Sequence, residues 1–299
     1  MNGSGWTWSR ARSAVAASGV LCAALLALRS PSEAHVDTPR AASASVVRPS
    51  PPPLVAPAAS AGARAALEAV TIGPAPHPLA GVSDAELDVL LRRSPERLGP
   101  ASLGRPNRGR LLNGIALESG GGIRVVDPLH AFGTELTVLS MQRAVAEVLR
   151  LFPDSPELYV GDLSRKNGGY LRPHRSHQSG LDVDVGYYYR VPTRWYTKAN
   201  AKNLDAARSW TLLKALVSAG NVEYVFMDRS IQALLRSHAE QQGESAALLD
   251  SLFESRRNRA SLVRHARRHL THFHVRFVDA VAQESGRRLF PRLRRLGRI

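Results

Sequence analysis

Histidine and aspartate residues are concentrated in two short windows of the chain. The first, PHRSHQSGLDVDVG at positions 173–186, places His177 and Asp184 seven positions apart. The second, RHLTHFHVRF at positions 268–277, contains a His-x-His pair, His272 and His274. Imidazole nitrogens and carboxylate oxygens bind metal ions and transfer protons in proteins. The windows therefore indicate a metal site or an acid–base site, unless these residues are solvated polar positions.

Both windows contain alternating segments that predict β-strands. In LDVDVG the valines alternate with Asp182 and Asp184, and in HFHVRF apolar residues alternate with His272, His274 and Arg276. If the two strands are neighbours, His177, Asp184 and His274 converge on one point. Two imidazoles and one carboxylate leave a fourth position open, which is typical of a catalytic zinc ion rather than a structural one. The alternative is a pair of half-exposed strands with polar outer faces.

Taken together, the two windows resemble the signatures of the penicillin-insensitive murein endopeptidases. These enzymes belong to a wider group of lysostaphin-like, D-Ala-D-Ala-cleaving and hedgehog-like zinc proteins. The group's pattern is His-x6-Asp followed much later by His-x-His, as in both windows here. The flank GDLSRKNGG at 161–169 and LLNGIAL at 111–117 are also similar to this branch, so the resemblance extends from about Arg105 to Val278.

The resemblance implies a ligand set for one zinc ion. It makes His177, Asp184 and His274 the ligands, and it makes His174 either a further ligand or an outer partner. Zinc can lower the pKa of a bound water to about 7 and polarise a scissile carbonyl. The implied reaction is therefore peptide-bond hydrolysis.

Two further histidines and one aspartate receive supporting roles. By the same resemblance, His272 and His269 lie beside the site, and either can transfer the proton. Asp182 shares a strand face with Asp184, so it either holds a ligand imidazole by a hydrogen bond or is a solvated strand residue.

The implied substrate is cross-linked peptidoglycan, cut at a D-alanyl bond between stem peptides. Arg172, Arg175 and Arg276 are closest to the motifs in sequence, so they either grip substrate carboxylates or are ordinary solvated arginines. The chain has no Ser-x-x-Lys nucleophile for a β-lactam to acylate. Three alternatives remain: a D-Ala-D-Ala carboxypeptidase, a non-catalytic zinc-containing wall-binding protein, and an exported basic protein that binds anionic polymers.

The net charge indicates the type of partner, and the N-terminus predicts export. The formal net charge of +15 favours a polyanionic partner, which could be nucleic acid, an anionic membrane or an acidic wall polymer, unless it is only a composition bias towards arginine. Residues 1–34 have the layout of a secretory signal peptide, with an uncleaved anchor as the alternative. Export to the periplasm or beyond disfavours nucleic acid as a partner. The only cysteine, Cys22, lies in the apolar run, so cleavage after Ala34 leaves no disulfide.

The remaining chain divides by composition. We expect a Pro/Ala-rich disordered linker at 35–80, a short helical appendage at 81–104, a catalytic domain at 105–285 and a basic Arg-rich tail at 286–299. Predicted helices and strands mix without a βαβ rhythm. This favours one α+β domain with a central, mainly antiparallel sheet flanked by helices. No pattern indicates an oligomeric state.

Overall fold

The computed structural model describes residues 77–256 and 258–299. The expected signal peptide at 1–34 and all but the end of the expected linker at 35–80 lie outside the described residues. In the part that is described, no helix combines the length and the apolar character that a bilayer crossing requires.

Six α-helices and ten strands are present in the described residues. The helices are α1 (Asp84–Arg93), α2 (Glu135–Leu151), α3 (Ala206–Ser218), α4 (Arg229–Gln241), α5 (Ala246–Leu252) and α6 (Ala280–Arg295). The strands are β1 (Ala101–Arg105), β2 (Arg108–Leu112), β3 (Ile115–Ala116), β4 (Ile123–Val125), β5 (Phe132–Gly133), β6 (Leu158–Val160), β7 (Asp182–Gly186), β8 (Val222–Met227), β9 (Val263–His265) and β10 (His272–Phe277).

The six-stranded central sheet has the order β4-β6-β7-β10-β8-β9. Its three inner pairings, β6–β7, β7–β10 and β10–β8, are antiparallel, and its two edge pairings are parallel. The predicted α+β class with a mainly antiparallel sheet is therefore confirmed.

The large core lies against the apolar residues of β7 and β10. Val183, Val185, Phe273 and Val275 are almost completely buried, and they share one cluster with residues of α2 and α3 such as Met141. Because side chains alternate along a strand, burial of these residues turns the intervening aspartates and histidines towards the opposite face of the sheet. The core thus determines which face carries the polar residues.

A smaller core joins the two ends of the described chain. Leucines of α1, β1 and α6 form it, among them Leu87, Leu103 and Leu289. Ser83 caps the N-terminus of α1 and forms a capping box with Glu86. Helix α6 crosses the expected boundary between 285 and 286, because Leu289 and Leu293 continue its buried stripe.

The C-terminal arginines are largely engaged in this smaller core. Arg292 forms ion pairs with Asp84 and Asp88 of α1. Arg288 donates to backbone carbonyls of the segment before α1. Arg288 and Arg292 of the expected basic tail therefore form contacts within the fold.

Candidate metal centre

Strands β7 and β10 are direct neighbours, as the converging-strand hypothesis requires. Their antiparallel register places His274 opposite Asp184 and Arg276 opposite Asp182. Opposed residues in an antiparallel pair project from the same face of the sheet. Four polar side chains of the two windows therefore share one face.

His177 enters this group from the loop before β7. Its backbone has φ +63°, and its amide N–H donates to Asp182 Oδ2 over 2.9 Å. Its Nδ1 lies 2.8 Å from the carbonyl oxygen of Leu163. A carbonyl can only accept, so Nδ1 carries the proton and Nε2 presents a lone pair to the cluster.

The imidazole of His274 lies between two carboxylates. Its Nδ1 is 3.1 Å from Asp184 Oδ1 and 3.0 Å from His177 Nε2. Its Nε2 is 3.0 Å from Asp182 Oδ1, on the other side of the ring. Nδ1 is therefore the atom that faces the cluster, and Asp182 lies behind the ring as an orienting partner.

The donor set fits a metal ion. His177 Nε2 is also 3.3 Å from Asp184 Oδ1. Donors that share one tetrahedral ion at about 2.0 to 2.1 Å lie about 3.3 Å apart, close to these separations. His174 joins the group, since its ligand atom lies within 4.8 Å of those of His177 and Asp184. All three core members, His177, Asp184 and His274, are buried.

Electrostatics at the centre favour charged carboxylates. Burial alone would raise the pKa of Asp184, but the neighbouring His177 and His274 hold that pKa well below its usual range. Burial also opposes the charged form of His274, yet hydrogen bonds to Asp182 and Asp184 raise its pKa to about 9. Without a metal, the proton on His274 and the guanidinium of Arg276 balance these two carboxylates, and a cation bound by His274 would take the place of that proton.

The two candidate proton-transfer residues differ in position. His272 Nε2 is 3.7 Å from Asp184 Oδ2, and its Nδ1 is hydrogen-bonded to Thr271 Oγ1 over 2.9 Å. Burial lowers the pKa of His272 to about 4. The ring of His269 lies beside that of His272, with the two ring centroids 5.1 Å apart. Burial lowers the pKa of His269 as well.

Three residues at the centre were missed by the sequence reasoning. Asp162 Oδ2 is 2.8 Å from His174 Nε2, so it orients that imidazole. Trp195 and Tyr196 form an aromatic wall, with ring centroids 6.0 and 5.7 Å from that of His272. Asp162 lies in the segment GDLSRKNGG, and the two aromatic residues follow three consecutive tyrosines at 187–189. Neither segment has a pattern that indicates a contact with a distant histidine.

The three arginines considered as carboxylate grips have different surroundings. Arg276 is held by Asp182 through hydrogen bonds of 2.6 and 3.1 Å, and its guanidinium lies 4.9 Å from the Tyr224 ring centroid. This arginine is thus already paired. Arg172 and Arg175 are exposed on the loop that carries His177.

Comparison with known protein families matches residues 129–287, more than half of the chain, to the family described as penicillin-insensitive murein endopeptidase. A search among curated proteins finds no match. The matched range contains both histidine windows and every residue of the metal centre described above.

Proposed function

Because the chain belongs to the penicillin-insensitive murein endopeptidase family, we propose that it is a zinc-dependent hydrolase of D-alanyl cross-links between stem peptides. The observation that carries this proposal is the meeting of His177 Nε2, Asp184 Oδ1 and His274 Nδ1 within 3.0 to 3.3 Å of one another. Asp184 and His274 come from the neighbouring strands β7 and β10, and His177 comes from the loop before β7.

The ligands of the proposed zinc ion are His177, Asp184 and His274, with His174 as a further donor at the edge. When bound, zinc supplies a nucleophilic water at neutral pH and polarises the scissile carbonyl. One ion is expected. The donor set of imidazoles and a carboxylate suits zinc better than magnesium or calcium, which prefer oxygen ligands.

His272 is the proposed proton-transfer residue. Its lowered pKa keeps the imidazole neutral at pH 7, so it can accept a proton from the attacking water. The imidazole of His272 would then return that proton to the leaving amine. His269 is the second candidate, because its pKa is also lowered and its ring contacts that of His272.

The proposed substrate is outside the cytoplasm, so the proposal includes export to the periplasm by the N-terminal signal. Peptidoglycan is then the partner, and nucleic acid is not. Hydrolysis would resist penicillin, because the reaction uses no serine that a β-lactam could acylate.

Digestion of defined muropeptides tests the proposal. Zinc-loaded protein is incubated with a cross-linked muropeptide dimer and with an uncross-linked pentapeptide monomer, and the products are identified by mass. Conversion of the dimer to two monomers is expected. Chelator-treated protein and the same protein with zinc restored are the matched controls.

Other outcomes select the alternatives. Cleavage of the uncross-linked pentapeptide alone would make the protein a D-Ala-D-Ala carboxypeptidase. Stoichiometric zinc without cleavage of either substrate would make it a wall-binding protein. Absence of stoichiometric zinc from the purified protein would remove the zinc-enzyme proposal.

A further inference from the structure

The hairpin β1–β2 is bound to the loop that carries two histidines of the metal centre. Leu111 N donates to Asn167 O over 3.1 Å, and Gln178 N donates to Pro106 O over 3.1 Å. The guanidinium of Arg110 lies against Gly169, where any added side chain would overlap it. The hairpin therefore lies beside the 163–181 loop, although it is outside the family match at 129–287.

Hairpin and loop together form a cationic surface, which we call the hairpin patch. It consists of seven exposed residues: Arg105, Arg108, Arg110, Arg165, Lys166, Arg172 and Arg175. Positions 101–117 and 163–181 contain no aspartate or glutamate. Within the described ranges, no ion pair involves any of the seven. Cations without local counter-charge concentrate positive potential at the edge of the metal centre.

The arrangement of these cations is unfavourable for the fold alone. The strand register places Arg105 directly opposite Arg108. Like charges in that relationship destabilise an antiparallel pair. Some arginines elsewhere have an acidic partner, as Arg292 has Asp84 and Arg287 has Glu284. An anionic partner would remove this repulsion between like charges. A guanidinium group can donate two parallel hydrogen bonds to one carboxylate, so carboxylates suit these arginines.

We propose that the hairpin patch binds the free carboxylates of peptidoglycan stem peptides on the polymer around the cross-link that is cut. The inference rests on the proposed function in one respect, since the polymer is taken to be murein. The patch would give affinity for the polymer beyond the contacts that a single cross-link makes at the metal centre. It would thus favour intact wall over small soluble fragments.

Co-sedimentation with purified peptidoglycan sacculi tests the patch. Zinc-free protein prevents cleavage during the binding measurement. The triple variant R105Q/R108Q/R110Q is compared with wild type and with R92Q/R93Q/R143Q, which removes the same charge from exposed arginines outside the patch that have no ion pair in the described residues. We expect the hairpin variant to bind on the order of fivefold more weakly at low salt, and the control to bind as wild type does.

Two further measurements complete the test: one identifies the group on the sacculus that is bound, and the other separates binding from catalysis. Sacculi whose carboxylates have been amidated should bind wild type at least as weakly as untreated sacculi bind the hairpin variant, because amidation removes the ligand of all seven cations and the variant removes only three of them. Zinc-loaded hairpin variant should cleave a small cross-linked dimer at the wild-type rate. Failure of all proteins to cleave the dimer, with the difference in sacculus binding intact, would refute the hydrolase proposal and support the patch.

Equal binding of wild type and hairpin variant to sacculi would overturn the inference. Undiminished binding of wild type to amidated sacculi would also overturn it. So would retention of wild type by anionic lipid vesicles but not by sacculi, because the partner would then be a membrane.

Discussion

His274 Nε2 lies 3.0 Å from Asp182 Oδ1, on the opposite side of the ring from Asp184. The second oxygen of Asp182 accepts the backbone N–H of His177. One buried carboxylate therefore orients the side chain of one proposed ligand and the backbone of another. This relationship gives Asp182 the hydrogen-bonding role that the strand spacing alone left open.

Asp182→Asn should weaken zinc binding by about 10- to 100-fold, since loss of an orienting partner of a ligand histidine has effects of that size. The amide keeps the shape of the side chain but replaces one acceptor with a donor. Competition with a chromogenic chelator measures the affinity. Asp154→Asn, at an exposed partner of Arg208, is the matched control. An unchanged affinity in Asp182→Asn would contradict the positioning role.

Removal of the metal should lower the thermal stability of the protein. An ion that binds only the folded state adds about 4 kcal/mol to the free energy of unfolding when its free concentration is 1,000 times Kd. Calorimetry with and without excess zinc should thus show a higher Tm with zinc. His177→Ala should lose this zinc-dependent shift, and a full shift in that variant would exclude His177 as a ligand.

His272→Gln should lower kcat by about 10²- to 10⁴-fold without loss of bound zinc, because general acid–base groups contribute rate factors of that size. KM should change little. Steady-state kinetics on the cross-linked dimer, together with metal analysis, gives both quantities. His269→Gln serves as the comparison. If His269→Gln shows the large loss in kcat and His272→Gln does not, the roles are exchanged.

Gly286→Ala should destabilise the protein by about 1 to 3 kcal/mol, the usual cost of overpacking. Helix propensity alone predicts a gain of about 1 kcal/mol for this change. However, the new methyl group would overlap the backbone carbonyl oxygen of Ser102, so α6 must move away from β1. Denaturant unfolding measures the difference, and increased stability would show that the close approach is relaxed without cost.

The sequence was sufficient to predict the strands of the site. Alternation placed Asp182 and Asp184 on one face of β7, and His272 and His274 on one face of β10, as the structure confirms. Burial of the valines and phenylalanines between them explains why the alternation was clear.

Contacts between distant segments could not be predicted in this way. Nothing in the local pattern of Asp162 indicates that it binds His174, because the loop between them folds back without periodicity. Which nitrogen of His274 faces Asp184 also depends on the position of Asp182 across the sheet. The pairing of α1 with the C-terminal arginines is likewise a product of tertiary packing, whereas composition indicated only a basic tail.

The joining of the two chain ends by the smaller core has a mechanical consequence. His77 Nε2 is hydrogen-bonded to Val281 O over 3.0 Å, and Arg298 donates to Leu91 O over 2.6 Å. A pulling force on the chain before His77 would first act on these contacts and on the leucines of α1 and α6. None of these contacts involves β7, β10 or a proposed metal ligand.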